Sequence, residues 1–196
     1  MHPLIIISGP AGVGKTTVAK ALLKTFPVLR SSVTYTTRRP REFSSEDKKM
    51  YYVSRDEFLA KGKRGDFLEW AEVHGDLYGT DRAETLRALN EHPVIFNIDV
   101  QGAEQLMGEF PGSCITAFLL PESHEQMVDH IKNRGEMTEG NFQARLKSAE
   151  IELAKKDRFQ HQIVNEEGKL SETIEQISRI VAPAIREQAS IDKKIG

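Results

Sequence analysis

An α/β fold, with a parallel sheet covered by helices on both faces, is predicted by three observations. Short apolar runs alternate with helical patterns, a glycine-rich turn joins the first run to the first helix, and a polar insertion interrupts the alternation. The apolar runs fall at 4–7, 67–73, 94–98, 115–120 and 163–164. Continuous rather than alternating runs suit strands buried on both faces, as in parallel sheets. The first helix follows at Thr17-Val18-Ala19-Lys20-Ala21-Leu22-Leu23, and residues 80–89 place Ala83, Leu86 and Leu89 on one stripe. Ser123-His124-Glu125-Gln126 reads as a capping box that opens the helix of Met127 and Ile131. Phe142, Leu146, Ala149 and Leu153 recur with helical period, as do Ile174, Ile177, Val181 and Ile185. The polar tail after Ser190 is expected to fray.

Composition narrows the function classes. A chain of 196 residues with 39% hydrophobic and 29% charged residues suits one compact domain with small insertions. A net charge of −2 gives no basic surface for a nucleic-acid polymer. Cys114 is the single cysteine, so no internal disulfide forms and a reducing compartment fits. No run approaches the ~20 apolar residues that span a bilayer. The expectation is a cytoplasmic protein that binds no membrane; a homo-oligomer is left open. No internal repeat or low-complexity tract is present.

Gly9-Pro10-Ala11-Gly12-Val13-Gly14-Lys15-Thr16-Thr17 carries the chemistry. It fits the phosphate-cradling pattern of a strand, a glycine-rich curl and a helix start. Glycines let the backbone N–H groups converge on an anion, and the helix adds the positive end of its dipole. Lys15 reaches the outer phosphates of a nucleotide in this pattern, and the Thr16 hydroxyl ligates Mg²⁺. The bland alternative is a Gly-rich turn with a surface lysine. A phosphate loop alone does not separate a kinase from a nucleotide switch.

The insertion at 32–79 holds short β-like pieces at Tyr51-Tyr52-Val53 and Phe67-Leu68-Glu69-Trp70. Thr36-Thr37-Arg38-Arg39-Pro40-Arg41 puts three arginines within four residues, and guanidinium forks match a phosphate monoester. The alternative is a solvated basic loop. Glu69 interrupts an apolar run where a carboxylate is costly unless donors reach it. Guanine offers two adjacent donors there and adenine an acceptor, so one carboxylate can separate the two purines. The alternative is a Glu on the wet face of an edge strand, with Ala71 beside it and Leu68 and Trp70 opposite. Residues 132–145 are polar, with Gly135 and Gly140, and suit a lid. Phe58, Trp70 and Phe118 are expected in the core, and His74, His92, His124 and His161 at the surface or as caps.

Together these pieces resemble the guanylate kinases from Ile5 to about Val181. The resemblance rests on Ser8–Thr17, Ser32–Arg41, Phe67–Gly75, Tyr78-Gly79-Thr80, Ile98–Gly102, Asn133-Arg134-Gly135 and Ile163-Val164-Asn165. It implies a P-loop NTPase-type core (1–31, 81–131 and 146–190), an inserted mixed-β monophosphate-binding subdomain (32–80) and a helical lid (132–145). It implies transfer of a phosphoryl group from ATP to GMP or dGMP with Mg²⁺. Gly9, Pro10, Ala11, Gly12, Val13, Gly14, Lys15, Thr16 and Thr17 would bind ATP phosphates, with Asn165 at the adenine and Thr16 on the metal. Thr34 and Glu69 would read guanine, with Asp99 assisting. Arg38, Arg41 and Tyr78 would hold the GMP phosphate, with Thr80 beside them. Lys15, Arg134 and Arg145 would neutralise the migrating group. The chain departs from the family at Met50, where a tyrosine contacts the GMP phosphate, at Asn97, where an aspartate is usual, and at His130, where an arginine is usual. The loop 42–49 also lacks the family's glycines. Two further readings stand beside this one: a related kinase with another acceptor, and a guanylate-kinase-like binding module.

Overall fold

The computed structural model describes residues 1–40, 50–133 and 138–195, and for 188–195 the backbone only. The larger sheet is wholly parallel: β1 (Leu4–Ser8), β2 (Arg30–Ser31), β7 (Val94–Asn97), β8 (Cys114–Pro121) and β9 (His161–Asn165), in the order β2-β7-β1-β8-β9. Its central strand is buried along its whole length, and its side chains divide by the period of two. Ile5 and Ile7 join the cluster beneath α1 (Lys15–Thr25) and α7 (Leu170–Ile195). Leu4 and Ile6 join the one beneath α3 (Arg82–Glu91) and α4 (Val100–Glu109). Each such side chain, buried on both sheet faces, contributes roughly 1.5–3 kcal/mol. The two layers hold the carboxyl ends of β1 and β7 rigid, where ligands of such sheets bind.

The smaller, mixed sheet has the order β4-β3-β6-β5, from β3 (Thr34–Thr36), β4 (Met50–Tyr52), β5 (Phe67–Val73) and β6 (Asp76–Asp81). The run 67–73 therefore belongs to the insertion and not to the parallel sheet. Helix α2 (Arg55–Lys63) covers it through Phe58, which stacks on Phe67 at 4.5 Å between ring centroids. His74 and Gly75 turn the β5–β6 hairpin with φ of 54° and 88°, the left-handed pair a type I′ turn requires. Helix α5 (His124–Lys132) is capped as expected, Ser123 Oγ accepting from Gln126 N at 3.1 Å. It packs through Met127 and Ile131 on Phe142, Leu146 and Ala149 of α6 (Glu139–Leu153).

Three expectations are corrected. Residues 80–81 end a strand, and the helix begins at Arg82 with Asp81 as its cap. Trp70 is not core: it is 42% exposed, while Phe58 and Phe118 are fully buried. The α7 backbone stays helical through Ile195, past the point where a frayed tail was expected.

Candidate active site

Strand β1 ends at Ser8 and α1 begins at Lys15, so the intervening loop curls at the carboxyl edge of the parallel sheet. Gly9, Gly12 and Gly14 all have positive φ, which side-chain-bearing residues rarely adopt. A Cβ on Gly9 would also lie 2.5 Å from the Leu119 carbonyl oxygen. Lys15 Nζ folds over the loop and donates to the carbonyls of Gly9 (2.5 Å) and Pro10 (3.0 Å). Two outside residues brace the loop. Asn165 Nδ2 donates to Val13 O at 2.9 Å while its Oδ1 accepts from Thr173 Oγ1. His130 Nδ1 donates to Gly12 O at 3.0 Å, and because a carbonyl only accepts, that bond fixes the proton on Nδ1.

Across the cleft, the smaller sheet aligns residues far apart in sequence. Met50, Thr34, Thr80 and Glu69 are successive partners across β4, β3, β6 and β5. Tyr52, Thr36, Tyr78 and Ala71 form the parallel row two residues away. Residues two apart share a face, so Glu69, Thr34, Met50 and Tyr78 all look into the same space. That space is a cleft of about 220 Å³, lined on its other walls by Ala11, Lys15, Thr16, Asn97, Asp99 and Arg145.

Glu69 is only 4% exposed, which removes the wet-face alternative. A register shift between Phe67 and Glu69 in the pairing with β6 breaks strict alternation, so Leu68 and Glu69 are both buried. Its Oε1 accepts from Thr80 Oγ1 at 2.5 Å. Burial pushes the carboxyl up to about 7; the Thr80 hydrogen bond opposes the shift and the negative Asp99 reinforces it. Thr80 thus stands in one cross-strand row with Thr34 and Glu69. Asp99 caps α4: its Oδ1 accepts from Gln101 N (2.7 Å) and Gly102 N (3.3 Å).

Arg38 lies at the mouth, and its Nη2 donates to Tyr52 Oη at 3.3 Å with the guanidinium over the ring. Tyr52, two residues beyond Met50 in β4, is thereby tied to Arg38. Arg145 projects from α6 and lines the cleft. Arg41, Arg134 and the loop 42–49 lie outside the described residues.

Glu152 and His74 are among the cleft residues that escape sequence reasoning. Glu152 lies seven positions after Arg145, on the same helix face; burial raises its carboxyl, the positive Lys15 opposes that, and Asp99 adds to it. Its i+7 spacing from Arg145 was the available signal. His74 lines the cleft from the hairpin turn, where only its left-handed φ marks it out. Among the described residues no group of three His, Cys, Asp or Glu forms a metal cage. Oxygen donors are nevertheless in place for a hard cation delivered on phosphates, with the Thr16 hydroxyl at the loop and Asp99 and Glu152 nearby. Asn97 Nδ2 donates to Thr16 Oγ1 at 3.0 Å, leaving that oxygen a second lone pair.

A phosphate loop on a parallel sheet and a buried carboxylate on a smaller mixed sheet, lining one cleft, fit the class of P-loop phosphotransferases. The guanylate kinase family model matches residues 1–184, and the chain belongs to that family. It is 37% identical to the guanylate kinase of Geobacter metallireducens, over 91% of this chain and 87% of that one. It is 35% identical to that of Thermotoga maritima, over 97% and 93% of the two chains. The crystal structure of guanylate kinase from Anaplasma phagocytophilum superposes with a TM-score of 0.74 at 28% identity, covering 94% of this chain and 86% of that one.

Proposed function

We propose that the chain transfers the γ-phosphoryl group of ATP to GMP or dGMP, giving ADP and the guanosine diphosphate, in purine nucleotide metabolism. The observation that carries the reading is Glu69, a nearly inaccessible carboxylate beside Thr34 and Thr80, in one cleft with Lys15. A carboxylate there accepts from the two adjacent donors on the guanine edge, whereas adenine presents an acceptor and leaves both oxygens unpaired. Thr34 and Asp99 complete the base contacts, and Thr80 fixes the Glu69 rotamer.

Arg38, Arg41 and Tyr78 hold the GMP phosphate, Arg38 steadied by Tyr52. Gly9–Thr17 cradle the ATP phosphates, and Asn165 shapes that loop where the adenine would lie. An oxygen of the GMP phosphate attacks the γ-phosphorus as the bond to the β–γ bridging oxygen of ATP breaks. Lys15, Arg134 and Arg145 neutralise the charge spread over the transferred group, because alignment and electrostatics rather than covalent catalysis lower this barrier. Thr16 would hold Mg²⁺, which supplies further charge neutralisation at the ATP phosphates. We assign residues 32–80 to acceptor binding and 132–145 to a lid that excludes water. The cytoplasm is the expected compartment, since the one thiol, Cys114, is buried and unpaired in a disulfide.

Steady-state turnover with ATP against GMP, dGMP, AMP, CMP and UMP tests the proposal. The guanine nucleotides should exceed AMP in kcat/KM by on the order of 10⁴. Equal turnover of AMP and GMP would remove the guanine reading.

A further inference from the structure

Helix α4 carries two glycines, and only one has a structural reason. Glycine in a helix interior is less stable than alanine, so each position invites an explanation. Gly108 faces open space, with nothing within 4 Å of where a Cβ would stand. Gly102 is buried and has an ordinary backbone, absent from the residues with positive φ. Its missing side chain is therefore a matter of room. A Cβ at Gly102 would meet Glu69 Cδ at 3.0 Å and fall well inside contact distance of Glu69 Oε2. The Glu69 carboxylate is thus held between the Thr80 hydroxyl on Oε1 and the bare face of α4 on Oε2.

We infer that Gly102 is a positioning residue for purine specificity: its lack of a side chain keeps open the slot in which the Glu69 carboxylate presents both oxygens to the base. This rests on Glu69 as the guanine reader. A methyl group at 102 must displace Oε2, and the displaced carboxylate either turns away from the base or gives up Thr80. Either movement misaligns a paired acceptor that works only when both oxygens face the two guanine donors together. No contact between Gly102 and the nucleotide is needed.

The test compares Gly102→Ala with Gly108→Ala, each alone and the first also in an Glu69→Ala background. KM for GMP should rise roughly tenfold or more in Gly102→Ala with kcat at saturation nearly kept, since loss of a charged hydrogen bond is of that order. The GMP-to-IMP ratio of kcat/KM should fall, because IMP lacks the exocyclic amino group that the second oxygen accepts. ATP affinity by titration calorimetry should stay within about twofold, and Gly108→Ala should match the parent. In the Glu69→Ala background, where the slot is empty, Gly102→Ala should leave KM for GMP unchanged and should not lower the melting temperature. An equal penalty with and without Glu69, or parent-like behaviour of Gly102→Ala, overturns the inference. If Glu69→Ala alone leaves KM for GMP unchanged, the guanine reading itself fails, and the inference with it.

Discussion

As the proposed guanine reader, Glu69 should tie guanine binding to pH, because burial brings its carboxyl up to about 7 from an ordinary 4.5. Between those values the folded chain holds a proton that the unfolded chain has released. This group therefore favours folding at the acid end of the window, and that contribution is lost as pH rises from about 4.5 to 7. On the proposed reading GMP binds the anion and has the opposite dependence. Its dissociation constant should weaken by roughly tenfold per pH unit below neutrality, and calorimetry at pH 6, 7 and 8 reads this directly. Glu69→Gln should bind GMP ~30-fold more weakly and show no such slope, since an amide lacks the titration and turns one donor toward the base. A preserved slope in Glu69→Gln would assign the titration to another group. Lys15→Ala should lower kcat by on the order of 10²–10³ with GMP affinity intact, measured by coupled turnover and titration. Residue types were legible in the sequence here; burial was not. The spacing around Glu69 fits a wet or a dry face equally, and the register shift at Phe67/Glu69 decides between them.

Strands with enough apolar side chains to be buried on both faces were readable as runs: β1, β7 and β8 fall where the Leu4, Val94 and Ile115 runs place them. β2, β3 and β6 were not, because they are short or polar and owe their pairing to neighbours rather than to their own composition. Helix α2 also left little pattern, burying Phe58 alone. Capping was the most transferable local signal, since Ser123 acts through its own side chain at a fixed offset. The phosphate loop illustrates the limit of a motif. Its glycines announce the curl, but the brace from Asn165 lies 152 positions from Val13. Asn165→Ala strips a donor from the Val13 carbonyl and an acceptor from Thr173, each loss costing about 1–3 kcal/mol if left unmet. ATP affinity should fall at least tenfold by calorimetry while GMP affinity stays near the parent value. A parallel loss of both would mean that Asn165 supports the whole core instead of the loop.

At the level of the molecule, two sheets of different construction meet at one cleft. The parallel sheet supplies main-chain amides at β1 and a rigid base for α1. The mixed sheet supplies a row of side chains, Thr34, Thr80 and Glu69, each lying in its own sequence motif but brought side by side only by pairing across strands. Of the departures from the family pattern, Asn97 and His130 touch the phosphate loop, at Thr16 and Gly12, whereas Met50 lies in the mixed sheet beside Thr34. Asn97→Asp and His130→Arg should therefore move KM for ATP and Met50→Tyr should move KM for GMP, each leaving the other constant near the parent value in steady-state kinetics. Phosphoryl transfer across this cleft requires both nucleotides in it at once. Calorimetric titration of GMP into protein saturated with Mg²⁺ and adenylyl imidodiphosphate, an ATP analogue that cannot donate its terminal group, reads this directly. One equivalent of GMP should bind, with an affinity no weaker than for the free protein; mutual exclusion of the two ligands would contradict direct transfer between them.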